Sequence, residues 1–222
     1  MRPPSPEQLA EMRAALADAC PAMARLHAVA PPLTWRTRAG GFAGLVYMIV
    51  GQQISTYAAE AVWKTLDAGV GGVSPATVLG RSPEDLRALG LSLPKARYVL
   101  AIAEAQTAGR LDLDDLSSLS DAEAVAALTA IKGVGRWTAE TFLMMCDGRT
   151  DVFPAGDIAL QEAVRHADGL PARPSEKALY ARAEAWAPYR SVAAHLAWAY
   201  YVAVREKEIA PLPSPAALGA AA

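Results

Sequence analysis

Cysteine is scarce in this chain. Its 222 residues hold two, Cys20 and Cys146, too few for a disulfide framework or a four-thiolate cluster, so an iron–sulfur centre is excluded. Histidine is equally thin: none of His27, His166 and His195 stands at metal-ligand spacing with other ligands, and each is expected to be structural. Long apolar runs are missing. The two longest, residues 40–50 and 195–204, fall well short of the roughly 20 residues that span a bilayer, and they read as buried helices. The opening Met-Arg-Pro-Pro-Ser-Pro-Glu-Gln lacks the apolar core of a signal peptide, which makes the cytoplasm the expected location. An excess of either charge is also lacking, since 21 Lys and Arg stand against 23 Asp and Glu for a net charge of −2. What is plentiful is apolar surface: 53% hydrophobic against 20% charged residues excludes disorder and supplies a core for one large domain or two lobes.

The pattern is helical throughout, with no sustained strand alternation, so the fold class is all-α. Ser5-Pro6-Glu7-Gln8 joins an N-cap, a proline at N1 and a capping-box glutamine, and opens a helix to about Ala19. Ser82-Pro83-Glu84-Asp85 repeats the device, and Ser120-Asp121-Ala122-Glu123 is another capping box. Pro94 starts a helix to about Ala108, and Ser175 starts one that should stop before Pro188. Breaks fall at residues 30–33, 69–75, 147–151 and 169–174. The tail from Pro211 to Ala222 is Pro/Ala-rich and expected to fray, with the fold ending near Glu208.

One turn stands apart. Between helix-forming runs, Gly133-Val134-Gly135 offers two glycines able to take positive φ, followed by a helix from about Arg136 whose first N–H groups and dipole favour an anion. Leu128 and Ile131 before it, and Ala139, Phe142 and Leu143 after it, lock the two helices together. A rigid array of amides suits phosphate held without regard to sequence, with Lys132, Arg136 and Thr138 beside it. Carbonyls turned inward, from Thr129, Ile131 and Val134, could hold a monovalent cation. The plainer alternative is a tight αα-turn with a glycine cap. Beyond a polar break, Val152-Phe153-Pro154-Ala155-Gly156-Asp157 sets one carboxylate among small and apolar neighbours, with Asp151 as a nearby decoy; Asp157 is either a reactive acid or the cap of a helix from Ile158 to His166. A phosphate grip and a lone acid point to chemistry on a nucleic acid. The net charge is unusual for such a partner, and it confines contact to a small patch of amides and cations drawn from Arg36, Arg38, Lys95, Arg97, Lys132 and Arg136.

Five ordered segments carry a resemblance: Gly51-Gln52-Gln53-Ile54-Ser55, Leu93-Pro94-Lys95-Ala96-Arg97-Tyr98, Gly133-Val134-Gly135-Arg136-Trp137-Thr138-Ala139, the 152–157 segment, and Trp186-Ala187-Pro188-Tyr189-Arg190-Ser191. From about Phe42 to Trp198 the chain resembles the helix-hairpin-helix DNA glycosylases, in particular the 3-methyladenine DNA glycosylase II family of alkylation repair. The resemblance implies two helical lobes without the N-terminal β-rich domain of larger relatives. Residues 42–148 would carry the hairpin. Residues 1–41 would pack with the C-terminal lobe 149–208, residues 209–222 would form the tail, and the acid would lie in the cleft.

By the same resemblance Asp157 is catalytic, Trp137 and Trp198 line the base pocket with Trp35 as a further candidate, and Gln53, with Gln52 beside it, fills the gap left by an everted nucleotide. Trp63 and Trp186 are assigned to the core. Relatives that also cut the strand carry a lysine where Trp137 stands, so a monofunctional enzyme is implied. The family's pocket tyrosine is Thr141 here and an aromatic after the second tryptophan is Ala199, which enlarges the pocket. The family's closest members place an aliphatic residue where Gln53 lies.

The implied activity is release of 3-methyladenine and 7-methylguanine from duplex DNA, extending to 1-methyladenine, 3-methylcytosine or ethenoadenine. A monomer is expected, with no membrane, no obligate protein partner and no required cofactor beyond a structural Na or K ion at the hairpin. The alternatives are a non-catalytic helix-hairpin-helix DNA-binding module and a glycosylase for oxidised or mismatched bases. Gly135→Asp, which sets a negative side chain against a phosphate, is expected to weaken binding to all DNA sequences alike in titrations at fixed salt; a loss confined to some sequences would contradict the hairpin reading.

Overall fold

Serine and proline punctuate the helices. The computed structural model describes residues 3–213, so most of the tail expected to fray lies outside the described residues. Among the described residues there are twelve α-helices, two short 3-10 turns and no strand. Ser5, Ser74, Ser82 and Ser120 close full capping boxes on α1 (Pro6–Ala19), α5 (Pro75–Leu79), α6 (Pro83–Ala88) and α8 (Asp121–Thr129). Ser55, Ser92 and Ser175 cap α4 (Thr56–Val70), α7 (Leu93–Thr107) and α11 (Glu176–Ala183). Each such cap is worth about 1 kcal/mol of helix stability. None of the helices is long and apolar enough to cross a membrane.

The chain forms two compact units. Residues 37–147 make the first, and residues 3–36 join residues 148–213 in the second. In the first, α3 (Gly41–Gly51) buries Leu45, Val46 and Ile49 and packs against α4, α7 and α9 (Arg136–Met145). In the second, α12 (Arg190–Arg205) is buried along residues 191–198 and packs on α1, α2 (Pro21–Val29) and α10 (Ile158–Asp168). Full burial of each Leu, Ile or Val adds about 1.5–3 kcal/mol.

The loop leading to α10 is pinned to the start of α12. The Ser191 N–H donates to the Thr150 carbonyl at 2.9 Å. The Ser191 hydroxyl donates to the Val152 carbonyl at 2.8 Å and accepts the Val152 N–H at 3.1 Å. Asp151 takes the Arg190 guanidinium as a fork, at 2.9 and 2.8 Å. Asp151 is thereby a structural partner of Arg190.

α11 stops at Ala183 and gives way to a 3-10 turn over Glu184–Trp186, so the helix that Ser175 starts ends before Pro188 as expected, the residue ahead of a proline being biased out of the helical region. One expectation needs correction here. Trp186 is core, but Trp63 is only half-buried, edge-on to Tyr47 with ring centroids 5.4 Å apart.

The hairpin consists of α8, the turn and α9. Leu128 on one helix and Phe142 and Leu143 on the other are buried, and the Val134 N–H donates to the Ile131 carbonyl at 3.0 Å. Gly133 has φ 95°, in the left-handed half of the map, and a Cβ placed there would lie 2.1 Å from Cγ of Tyr98. The Tyr98 ring thus occupies the space that glycine leaves. Gly133→Ala combines backbone strain with this clash and should cost about 2 kcal/mol or more in urea unfolding; a variant as stable as the native protein would show that the ring does not hold this turn.

Candidate active site

In the first unit the turn is built to present amides. Gly135 is the N-cap of α9, with φ −79° and ψ 167° and no side-chain cap bond. The expectation of positive φ at both glycines therefore holds for Gly133 and is corrected for Gly135, since an N-cap residue takes extended backbone. A Cβ at Gly135 would meet nothing within 4 Å, so the fold itself does not demand glycine there. Arg136 and Lys132 are exposed, Arg136 reaching the buried Glu140 carboxylate through Nε at 3.0 Å. Thr138 is buried, and its hydroxyl accepts a hydrogen bond from Gln52.

Gln52 is a correction. Its amide nitrogen donates to the Gly133 carbonyl at 3.1 Å and to Thr138 Oγ1 at 2.9 Å, so the side chain ties the 51–55 loop to the hairpin instead of reaching outward. Lys95 is another: its ammonium donates to the carbonyls of Val50 and Gln52 at 2.8 and 2.7 Å, closing the C-terminal end of α3, and burial lowers its pKa. It serves the fold and leaves the patch of cations. Arg38 lies over the Tyr47 ring at 4.4 Å and 3.9 Å from Glu60, while Arg97 and Lys132 are exposed. Gln53 is exposed, with φ 59°. Trp137 is half-buried in the first turn of α9. Thr141 is buried, and its hydroxyl has no hydrogen-bond partner.

In the second unit the acid is fixed by hydrogen bonds. Asp157 is the N-cap of α10, and its Oδ1 accepts the N–H groups of Ala159 and Leu160 at 2.9 and 3.1 Å. The indole N–H of Trp198 donates to the same oxygen at 3.2 Å. The two readings of Asp157, cap and reactive acid, are therefore compatible, because capping is what orients it. Trp198 is in turn held by aromatic neighbours. His195, one helical turn earlier, meets it edge-on with centroids 5.8 Å apart, and stacks on Trp35 at 4.2 Å with 19° between the planes. The Arg36 guanidinium sits 5.4 Å from the Trp198 ring centroid. The structure thus joins Asp157, Trp198 and Trp35 in a series, Trp35 through His195. Among the described residues no group of three His, Cys, Asp or Glu could hold a metal ion.

A model of the HhH-GPD superfamily of base excision DNA repair proteins matches residues 46–188, from within α3 to just before α12. The chain belongs to this superfamily. DNA-3-methyladenine glycosylase 1 of Schizosaccharomyces pombe is 32% identical over 158 residues, 69% of either chain. A DNA-3-methyladenine glycosidase from Bacillus halodurans superposes with a TM-score of 0.75 at 33% identity, covering 86% of this chain and 89% of that one. The Schizosaccharomyces pombe 3-methyladenine DNA glycosylase, solved in complex with abasic DNA, gives a TM-score of 0.75 at 27% identity, covering 88% and 97%. Among HhH-GPD proteins these similarities set the chain with the alkylation-repair glycosylases.

The residue the sequence reading passed over is His195. Its Nε2 accepts the Arg36 N–H at 3.1 Å and its Nδ1–H donates to the Ser191 carbonyl at 2.8 Å, which fixes the neutral tautomer. Burial pushes its pKa down to about 4, against a weaker upward pull from the Ser191 carbonyl. The available signal was spacing: Ser191, His195 and Trp198 share one face of α12. Because the unfolded histidine takes up a proton near pH 6.5 and the folded one only near 4, its contribution is complete above pH 6.5 and is lost as pH falls toward 4. The stability gap between the native protein and His195→Gln should therefore narrow by roughly 3 kcal/mol between pH 7 and pH 4 in urea unfolding; a constant gap would mean that His195 does not titrate as a buried neutral ring.

Proposed function

We propose that this HhH-GPD protein is a monofunctional DNA glycosylase that everts alkylated nucleotides from duplex DNA and hydrolyses their N-glycosidic bonds, with 3-methyladenine and 7-methylguanine as core substrates. Substrates of the ring-alkylated and etheno class, 1-methyladenine, 3-methylcytosine and ethenoadenine, belong to the same reading, in keeping with a threonine where the family has a pocket tyrosine. The observation that carries it is the Asp157 carboxylate, locked at the N-terminus of α10 with a tryptophan N–H on the same oxygen.

Everting the target nucleotide costs least when its base is damaged and poorly paired, and this begins the selection. An alkylated base is often cationic, and the face of Trp198, whose N–H bonds to Asp157, offers it the negative side of an aromatic quadrupole. When the bond from C1′ to the base nitrogen breaks, the base leaves with the electron pair and positive charge grows on C1′ and the ring oxygen. Asp157 offsets that charge. A preoriented group of this kind contributes about 2.7–4 kcal/mol to the barrier, a factor of about 10² to 10³. Water then adds to C1′ and gives up a proton, for which the same carboxylate is the acceptor. Asp157 does not have to move between roles. Its anchoring through Oδ1 leaves no reorganisation for the reaction step.

Strand cleavage through a Schiff base needs an amine at the sugar, and Trp137 stands where strand-cutting relatives carry their lysine. The hairpin amides grip backbone phosphate and set the register of the duplex. The carbonyl oxygens of Thr129, the last residue of α8, and of Ile131 and Val134 in the turn beyond it are neutral hard donors, chemically suited to a monovalent cation such as Na or K, which when bound would add positive potential beside the phosphate. The Ile131 carbonyl already accepts the Val134 N–H and keeps a second lone pair for that purpose.

Release of bases from methylated duplex DNA tests the reading. The native protein should free methylpurines without nicking the strand, and Asp157→Asn should lower the single-turnover rate by about 10² to 10³ while duplex binding stays within a few fold. Equal release by both proteins would leave only a helix-hairpin-helix DNA-binding module, and release of 8-oxoguanine or mispaired adenine ahead of every alkylated base would favour an enzyme of oxidative or mismatch repair.

A further inference from the structure

The first unit carries an apolar edge that neither the acid nor the phosphate grip uses. Tyr57, in the first turn of α4, is 88% exposed, and Ile54, three residues earlier, is 41% exposed. Ser55 and Thr56 between them are exposed as well. A tyrosine ring left so bare gains nothing from the fold, since its apolar area stays in water. Immediately before this edge Gln53 holds φ 59°, a conformation uncommon for a residue with a side chain and one that strained functional loops retain.

The segment is nonetheless rigidly mounted. Lys95 clamps the carbonyls of Val50 and Gln52, and Gln52 bonds to Gly133 and Thr138 of the hairpin. The Ser55 hydroxyl caps α4 by accepting the Ala58 N–H at 3.2 Å. Residues 50–58 are therefore bolted to the phosphate grip, and whatever registers DNA on the hairpin also registers this edge. Its chemistry fits the interior of a duplex groove. Residues 50–59 contain no acid, the polar groups are neutral amides and hydroxyls that suit base edges, and the apolar members are one large aliphatic and one aromatic side chain.

We propose that Ile54 and Tyr57 form a second wedge that touches the strand opposite the everted nucleotide, with Tyr57 stacking on the estranged base or its neighbour and setting a preference for the opposing base. The proposal rests on the base-everting reading above. Gln53 enters the vacancy in the stack, and Tyr57 takes the face that the vacancy exposes across the helix. Stacking tolerates any sequence but strengthens with the size of the base, so the preference runs toward an opposing purine.

The test measures dissociation constants, by fluorescence anisotropy at fixed salt, for duplexes carrying a tetrahydrofuran abasic analogue opposite A, G, C or T. The native protein, Tyr57→Ala, Tyr57→Phe and Ile54→Ala are compared, with melting curves to show that all four are folded. The native protein should bind purine-opposed sites more tightly than pyrimidine-opposed ones. Tyr57→Ala should lose about tenfold on the purine-opposed sites and level the four constants, whereas Tyr57→Phe keeps the native spread. Ile54→Ala should weaken all four by a similar smaller factor. Four native constants that do not differ, or that Tyr57→Ala leaves unchanged, would overturn the wedge. Methylpurine release by the native protein, assayed alongside, reports on the excision reading separately: release with an inert Tyr57 sinks only the wedge, and a Tyr57-dependent spread without release sinks only the excision.

Discussion

One oxygen atom organises the second unit. Oδ1 of Asp157 accepts two backbone N–H groups from the first turn of α10 and the indole N–H of Trp198 on α12, so a single acceptor fixes a helix start, an aromatic wall and the direction of a carboxylate. The constraint propagates outward through chemistry that requires burial. Trp198 keeps its place against His195, His195 is neutral because burial disfavours its charged form, and Trp35 closes the stack. The loop bearing the acid is held from behind by Ser191 and by the fork between Asp151 and Arg190. In the proposed reaction a carboxylate carried by such a frame would meet developing charge without rearranging, which is the condition under which fixed charges are effective.

The first unit follows a comparable logic with backbone groups. Glycine at 133 admits the Tyr98 ring, and glycine at 135 leaves open space over amides that no side chain caps. The Gln52 side-chain amide donates to the Gly133 carbonyl and so ties this turn to the loop after α3, while the Lys95 ammonium satisfies the Val50 and Gln52 carbonyls at the end of that helix. The cost of half-burying a lysine is offset by two short hydrogen bonds. The outcome is a stiff mount in a chain whose overall charge does little to attract a polyanion.

Local signals in the sequence were strong where the physics is local. Serine N-caps mark α1, α6 and α8 within a residue, the first two with proline at N1, and the glycine turn between α8 and α9 and the helix following Asp157 fall where the pattern puts them. Pairings between distant residues left no such trace. The Arg36 N–H meets His195 across 159 residues, and Gln52 meets Thr138 across 86, so a histidine taken as bland is a keystone and a glutamine taken as a wedge is a tether. Lys95 misled for the same reason, because a lysine in a polar motif reads as a surface cation until the carbonyls it caps are in view. Gly135 misled differently: glycine suggests positive φ, whereas an N-cap needs only extended backbone.

The most direct measurement compares two abasic analogues in one duplex, a pyrrolidine carrying a positive charge at the position of C1′ and the neutral tetrahydrofuran. If the Asp157 carboxylate faces the charge that develops at the sugar, the native protein binds the pyrrolidine duplex at least about tenfold more tightly, and Asp157→Asn removes that difference while retaining the tetrahydrofuran affinity. Equal affinity of the native protein for both analogues, or a preference that survives in Asp157→Asn, would contradict the account.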